Sequence, residues 1–242
     1  MMLRLLVALA IVAAPAAHAL DPGSITFTSL AAARFEITSS ASGDAAAKTR
    51  QAIDRAGPNA TGDGNGIVTQ QEIQGYADAF KVYRQAALIG SITSGNLTLD
   101  GHRPTSASVD LVDFRGAEGN IASGDSLTLV IDVVAVFAPG AGDTHVFGMT
   151  RGASEGQPPQ ISMTITVPPG YRIASTSGLP TGSYLSADKH SVGFTDDPQL
   201  SWAGTIVFTP EPPASTPAPG LALVAVGLLL CVGLLRRVSR SP

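Results

Sequence analysis

The chain has 242 residues, a formal net charge of −4, 14% charged residues and one cysteine. No basic patch is available to neutralise phosphates, which excludes a nucleic-acid binder. The lone Cys231 excludes a disulfide framework and a thiolate metal site.

Residues 1–19 read as an export signal. Arg4 gives the positive start, an uncharged apolar run follows, and Ala17-His18-Ala19 fits a small-x-small cleavage site. The exported domain then spans 20–208. Ile25, Phe27, Phe35 and Ile37 alternate with polar residues over 24–39, the period of one or two strands. Residues 44–57 turn to Ala, Lys, Arg and Gln, all strong helix formers, with Asp44 as N-cap and Gly57-Pro58 as stop signal. A second helix is predicted over 69–87, with Ile73, Tyr76, Phe80 and Ala87 along one apolar stripe. Runs of strand character follow at 91–100, 106–114, 126–137, 144–149, 160–167, 171–176, 191–194 and 203–208, separated by Gly, Pro, Asn and Asp. Many short strands at near-regular spacing predict a mainly β fold, an antiparallel Ig-like sandwich, with a helix–loop–helix inserted at 44–87.

Residues 209–219 form a Pro-rich stalk. In polyproline II geometry, at ~3.1 Å per residue, it reaches roughly 30 Å. The apolar run at 220–235 is read as one transmembrane helix. With Ala218 and Pro219 included it is about 27 Å long at ~1.5 Å per residue, close to a ~30 Å hydrocarbon core. Arg236, Arg237 and Arg240 follow in the tail 236–242, which places that tail in the cytoplasm. The expectation is a single-pass protein of the cell membrane with the bulk of the chain extracytoplasmic.

The elements Pro210-Glu211-Pro212, Pro217-Ala218-Pro219-Gly220 and Arg236-Arg237 around this run resemble sorting tails of the PEP-CTERM and PGF-CTERM type. The resemblance covers about the last 33 residues and implies a sortase-like processing enzyme as partner. The Pro-Glu-Pro element lies further from the helix than in those families, and no Phe follows the Pro-Gly pattern. The same residues fit a plain transmembrane anchor equally well.

Between the two predicted helices, residues 61–72 read TGDGNGIVTQQE and resemble an EF-hand calcium loop. Ca²⁺ takes six to eight oxygens. The resemblance implies a shell of Thr61, Asp63, Asn65, the main-chain carbonyl of Ile67, Thr69 and Glu72, with Gly66 at the sharp turn and Val68 pairing with a partner loop. Several features depart from the family. Thr61 stands where EF-hands carry Asp, Ala60 replaces the usual hydrophobe, and there is only one such loop. Asp54, through an enlarged loop, is a second candidate for the missing first ligand. With Asp63 and Glu72 as the anions, affinity is expected around the millimolar range of extracellular modules. Asp-Gly-Asn-Gly also makes a sound turn with no metal.

Other motifs fail on context. Gly124-Asp125-Ser126-Leu127 spells a lipase signature but runs from a turn into a strand, and no Asp-x-x-His follows. Gly152-Ala153-Ser154-Glu155-Gly156 spells a nucleophile elbow, yet Pro158-Pro159 forbid the helix it needs. His102, His145 and His190 are scattered beside turns and read as surface residues. Asn59 and Asn96 head glycosylation sequons. The chain is therefore read as a non-enzymatic cell-surface protein with a structural or interaction role. The alternative is a surface adhesion or ligand-binding β-module, for other surface proteins or glycans, whose helix–loop–helix is metal-free. In either case the full-length protein should fractionate with membranes, and a chain ending at Thr209 should be released. Retention of the shortened chain would show that the tail is not the anchor.

Overall fold

The structure, a computed structural model, describes residues 23–56, 61–151, 161–196 and 200–212. The export signal, the apolar run at 220–235, the basic tail, most of the stalk and the Gly152–Gly156 motif lie outside the described residues, as do Gly57-Pro58, Asn59 and Ala60. No helix among the described residues is long and apolar enough to cross a membrane.

Alternation along the strands puts Ile25, Phe27, Ala33 and Phe35 on one buried face. They belong to β1 (Gly23–Ser29) and β2 (Ala32–Ala41), which pair antiparallel. The chain continues through α1 (Gly43–Asp54), β3 (Ile67–Val68), α2 (Gln70–Thr93), β4 (Leu97–Leu99), β5 (Ser106–Arg115), β6 (Gly119–Asn120) and β7 (Leu127–Val136). It ends with β8 (His145–Arg151), β9 (Ile161–Thr166), β10 (Tyr171–Ser177), β11 (Tyr184–Leu185), β12 (Ser191–Asp196) and β13 (Trp202–Pro210). These form a seven-stranded sheet in the order β11-β12-β9-β1-β2-β7-β5, a four-stranded sheet β10-β13-β8-β4, and a two-stranded ladder β3-β6. One pairing, β1 with β9, is parallel.

The two larger sheets meet through aromatic rings. Phe27 of β1 lies 5.1 Å from Phe147 of β8, edge on, and 5.7 Å from Phe208 of β13. Such offset and edge-to-face contacts stabilise the pair beyond the area they bury. The fold is thus mainly β with open sheets, consistent with a β-sandwich.

Both helices depart from their expected bounds. Ser42, rather than Asp44, precedes α1 as N-cap, and Asp44 falls in the first turn. Helix α2 runs through Ser91 and Thr93, which the sequence assigns to a strand, and β4 is correspondingly short. The hydroxyls of Ser91 and Thr93 donate to the carbonyls of Leu88 and Ile89, so these residues find hydrogen bonds inside the helix. The buried stripe runs through Ile73, Ala77 and Ile92, and Ala87 faces solvent. Strand β13 extends to Pro210, into the segment read as stalk.

Helix α2 also covers an edge. β5 ends the large sheet, and an exposed edge strand invites unwanted pairing. Tyr76 and Phe80 meet Phe114 of β5 edge to face, at 5.3 and 5.9 Å between ring centroids. Lys81 Nζ donates to the carbonyl of Asp110 at 3.1 Å.

His145 is not a surface residue: it is 1% exposed. It shares an inward face of β8 with Phe147, and its Nδ1 lies 2.8 Å from Asp100 Oδ2. Asp100 also accepts from the main-chain N–H groups of Gly140 and Val146. Partial burial works against its charge. Hydrogen bonds from His145, Val146 and Gly140, with the His145 charge, prevail and hold the carboxyl below its ordinary value of 3.8. A depressed folded-state pKa stabilises the fold above the unfolded value, and that contribution is lost as pH falls through the folded pKa. In urea unfolding, Asp100→Asn should therefore be less stable than wild type at pH 7, and the gap should narrow below about pH 4. A gap that stays constant to strongly acid pH would contradict this.

Candidate functional site

The helix–loop–helix is built on a scaffold from elsewhere in the chain. Arg50 in α1 is 1% exposed. Its Nε donates to the carbonyl of Ala117, Nη1 to those of Ser123 and Asp125, and Nη2 to that of Gly116, at 2.6–3.2 Å. Burying a guanidinium is costly unless its N–H groups are met; here four carbonyl bonds from residues 116–125 meet it. The same segment carries β6, which pairs Gly119 and Asn120 with Val68 and Ile67 of the loop. The Ile121 N–H adds a bond to the Gly66 carbonyl at 3.1 Å. Val68 therefore finds a partner strand within its own chain.

The loop then folds back on the end of α1. The N–H of Gly62 bonds to the Ala56 carbonyl, and that of Gly64 to the Asp54 carbonyl at 2.8 Å. The second bond satisfies a last-turn carbonyl that a helix C-terminus leaves without an internal partner. Only glycine fits at 62: a Cβ there would lie 2.6–2.7 Å from the carbonyl oxygens of Ile53, Asp54 and Ala56. Gly66 holds φ +90° at the sharp turn.

This reversal brings three carboxylates together. One oxygen each from Asp54, Asp63 and Glu72 lies within 4.8 Å of the others. Asp54 is 1% exposed and Glu72 3% exposed, while Asp63 faces solvent. Asp54 Oδ1 accepts from the Gly66 N–H at 3.1 Å. Its Oδ2 is buried with no hydrogen-bond partner among the described residues. A donor set of three carboxylates at loop spacing suits a hard divalent cation such as Ca²⁺.

The remaining residues of the expected shell are arranged as follows. Thr61 holds φ +57°, and its hydroxyl donates to the Gln71 carbonyl at 3.0 Å. Asn65 donates from its main-chain N–H and its Nδ2 to the two oxygens of Asp63, and its Oδ1 accepts from the Ile67 N–H at 2.8 Å. Ile67 lies in β3 with its side chain exposed. Thr69 is the N-cap of α2. Its hydroxyl accepts from the Glu72 N–H, and Glu72 Oε2 accepts from the Thr69 N–H in return, a capping box. Glu72 Oε1 accepts from the Asp63 N–H at 3.1 Å. The Thr-x-x-Glu spacing that announces this box is present in the sequence. Nothing in the sequence marks Arg50 as buried.

No protein-family model matches the chain, and no curated protein sequence matches it.

The backbone reversal at Gly62 is open to direct test. Gly62→Ala drives a Cβ into backbone and should cost about 2–3 kcal/mol in urea unfolding. Gly64→Ala, with open space at its Cβ and φ +75°, should cost only about 1 kcal/mol. Equal costs would show that the loop does not press against α1.

Proposed function

We propose that this chain is an exported surface protein, held to the outer face of the membrane by the apolar run at 220–235, whose β domain uses Ca²⁺ as a structural clasp in its helix–loop–helix. In this reading the two facing sheets form an Ig-like sandwich, and the protein's role is structural or one of interaction at the cell surface. The observation that carries the cation reading is the buried Asp54 carboxylate, which has one oxygen without a hydrogen-bond partner among the described residues and faces Asp63 and Glu72. Bringing three like charges together is unfavourable at short range and low dielectric. A bound divalent cation converts that repulsion into attraction. Calcium suits a flexible loop of carboxylates and carbonyls better than Mg²⁺, which demands near-ideal octahedral geometry. The chain's own β6 supplies the pairing that a second hand provides in EF-hand pairs.

One observation favours a competing reading, a metal-free turn in an adhesion or ligand-binding β-module. Asp63 and Glu72 already accept hydrogen bonds from within the loop, so the turn closes without an ion. Thermal unfolding of the purified chain in calcium and in chelator separates the two. A ligand that binds only the native state stabilises it by RT ln(1 + [L]/Kd), about 1.4 kcal/mol at ten times Kd, or a few degrees in Tm for a domain of this size. The clasp predicts that rise with calcium and its loss in Glu72→Gln. No shift at about 10 mM calcium would leave the metal-free module standing.

A further inference from the structure

Resting on the reading of the loop as a cation site, we infer that the first ligand is Asp54, from the last turn of α1, and that Thr61 lies outside the coordination shell. The carboxylate ligands are then Asp54, Asp63 and Glu72, the first of them upstream of the segment 61–72 that the sequence pattern marks out.

Three observations carry this. Asp54 is 1% exposed, and its Oδ2 has no hydrogen-bond partner among the described residues. A carboxylate so buried needs a compensating donor or cation. Its partner oxygen, Oδ1, accepts from the N–H of Gly66, so the turn glycine is tied to Asp54. Finally, one oxygen of Asp54 lies within 4.8 Å of one from Asp63 and one from Glu72.

Thr61 shows none of this. It is exposed, and its hydroxyl is spent on the Gln71 carbonyl. Asn65 and Thr69 hold the carboxylates of Asp63 and Glu72 in place and act as positioning residues. The side-chain ligands are then three carboxylates, with main-chain carbonyl or water oxygens completing a calcium shell. An ion so held ties the end of α1 to the start of α2 directly. The carbonyl-rich C-terminus of α1 also favours positive charge there.

The test is calorimetric titration of calcium chloride into the purified full-length chain, with folding of each variant checked by circular dichroism. Wild type and Thr61→Ala should bind one Ca²⁺ with Kd values within about threefold of each other, and Asp54→Asn should bind at least about tenfold more weakly. Thr61→Asp, which would restore the EF-hand pattern in the sequence, should not tighten binding. If Thr61→Ala loses affinity while Asp54→Asn keeps it, or if Thr61→Asp binds at least about tenfold tighter, the inference is overturned and the cation site survives with the shorter register. If wild type takes up no calcium, the cation site itself falls.

Discussion

A carboxylate removed from water must be met by hydrogen bonds or by positive charge, and the cost of leaving it unmet is large compared with the net stability of a domain. Asp54 poses this problem at the junction of helix and loop. Half of its answer is the Gly66 N–H. A divalent cation, on the proposed reading, is the other half. The local chain path makes sense in those terms: the return of residues 61–64 onto α1, with no side chain at 62, accompanies the convergence of carboxylate oxygens of Asp54, Asp63 and Glu72 to within 4.8 Å of one another.

A lone loop of this kind would ordinarily lack support, because a two-residue strand cannot stabilise itself. Support comes from residues 116–125. Arg50 anchors that segment to α1 through its carbonyls, and β6 anchors it to the loop. The inserted element is thereby fixed to the connection between β5 and β7, two neighbouring strands of the large sheet. Helix α2 leaves the loop and lies along the edge strand β5, with Tyr76 and Phe80 on Phe114. A change at the loop is therefore expected to reach the sheet edge through α2 and through residues 116–125 together.

The strands are legible in the sequence because alternation at Ile25, Phe27, Phe35 and Ile37, and the β-branched run of β7, is a signal contained in a few adjacent residues. The two-residue strands β6 and β11 are not, since two residues have no period, and β3 is signalled only by the EF-hand resemblance at Val68. Helix α2 reads too short because Ser and Thr at 91–93 have weak helix preference, and only the folded helix offers their hydroxyls the carbonyls of Leu88 and Ile89. His145 misleads for a similar reason: a histidine beside a turn looks like a surface residue until Asp100 arrives from another part of the chain. At the site, Asp63 and Glu72 stand out by spacing. Asp54 is visible only as a second choice, because its relation to them depends on a reversal that sequence spacing does not encode. Arg50 gives no signal at all; an arginine in a helix is usually solvated, and its burial follows from a carbonyl cluster some seventy residues away.

The most direct test of the clasp is crystallographic. Crystals grown with calcium should show one anomalous scattering peak, about 2.3–2.6 Å from carboxylate oxygens of Asp54, Asp63 and Glu72 together. No peak among these three residues would contradict the clasp, and a peak that touches Thr61 and leaves Asp54 out of reach would contradict Asp54 as its first ligand.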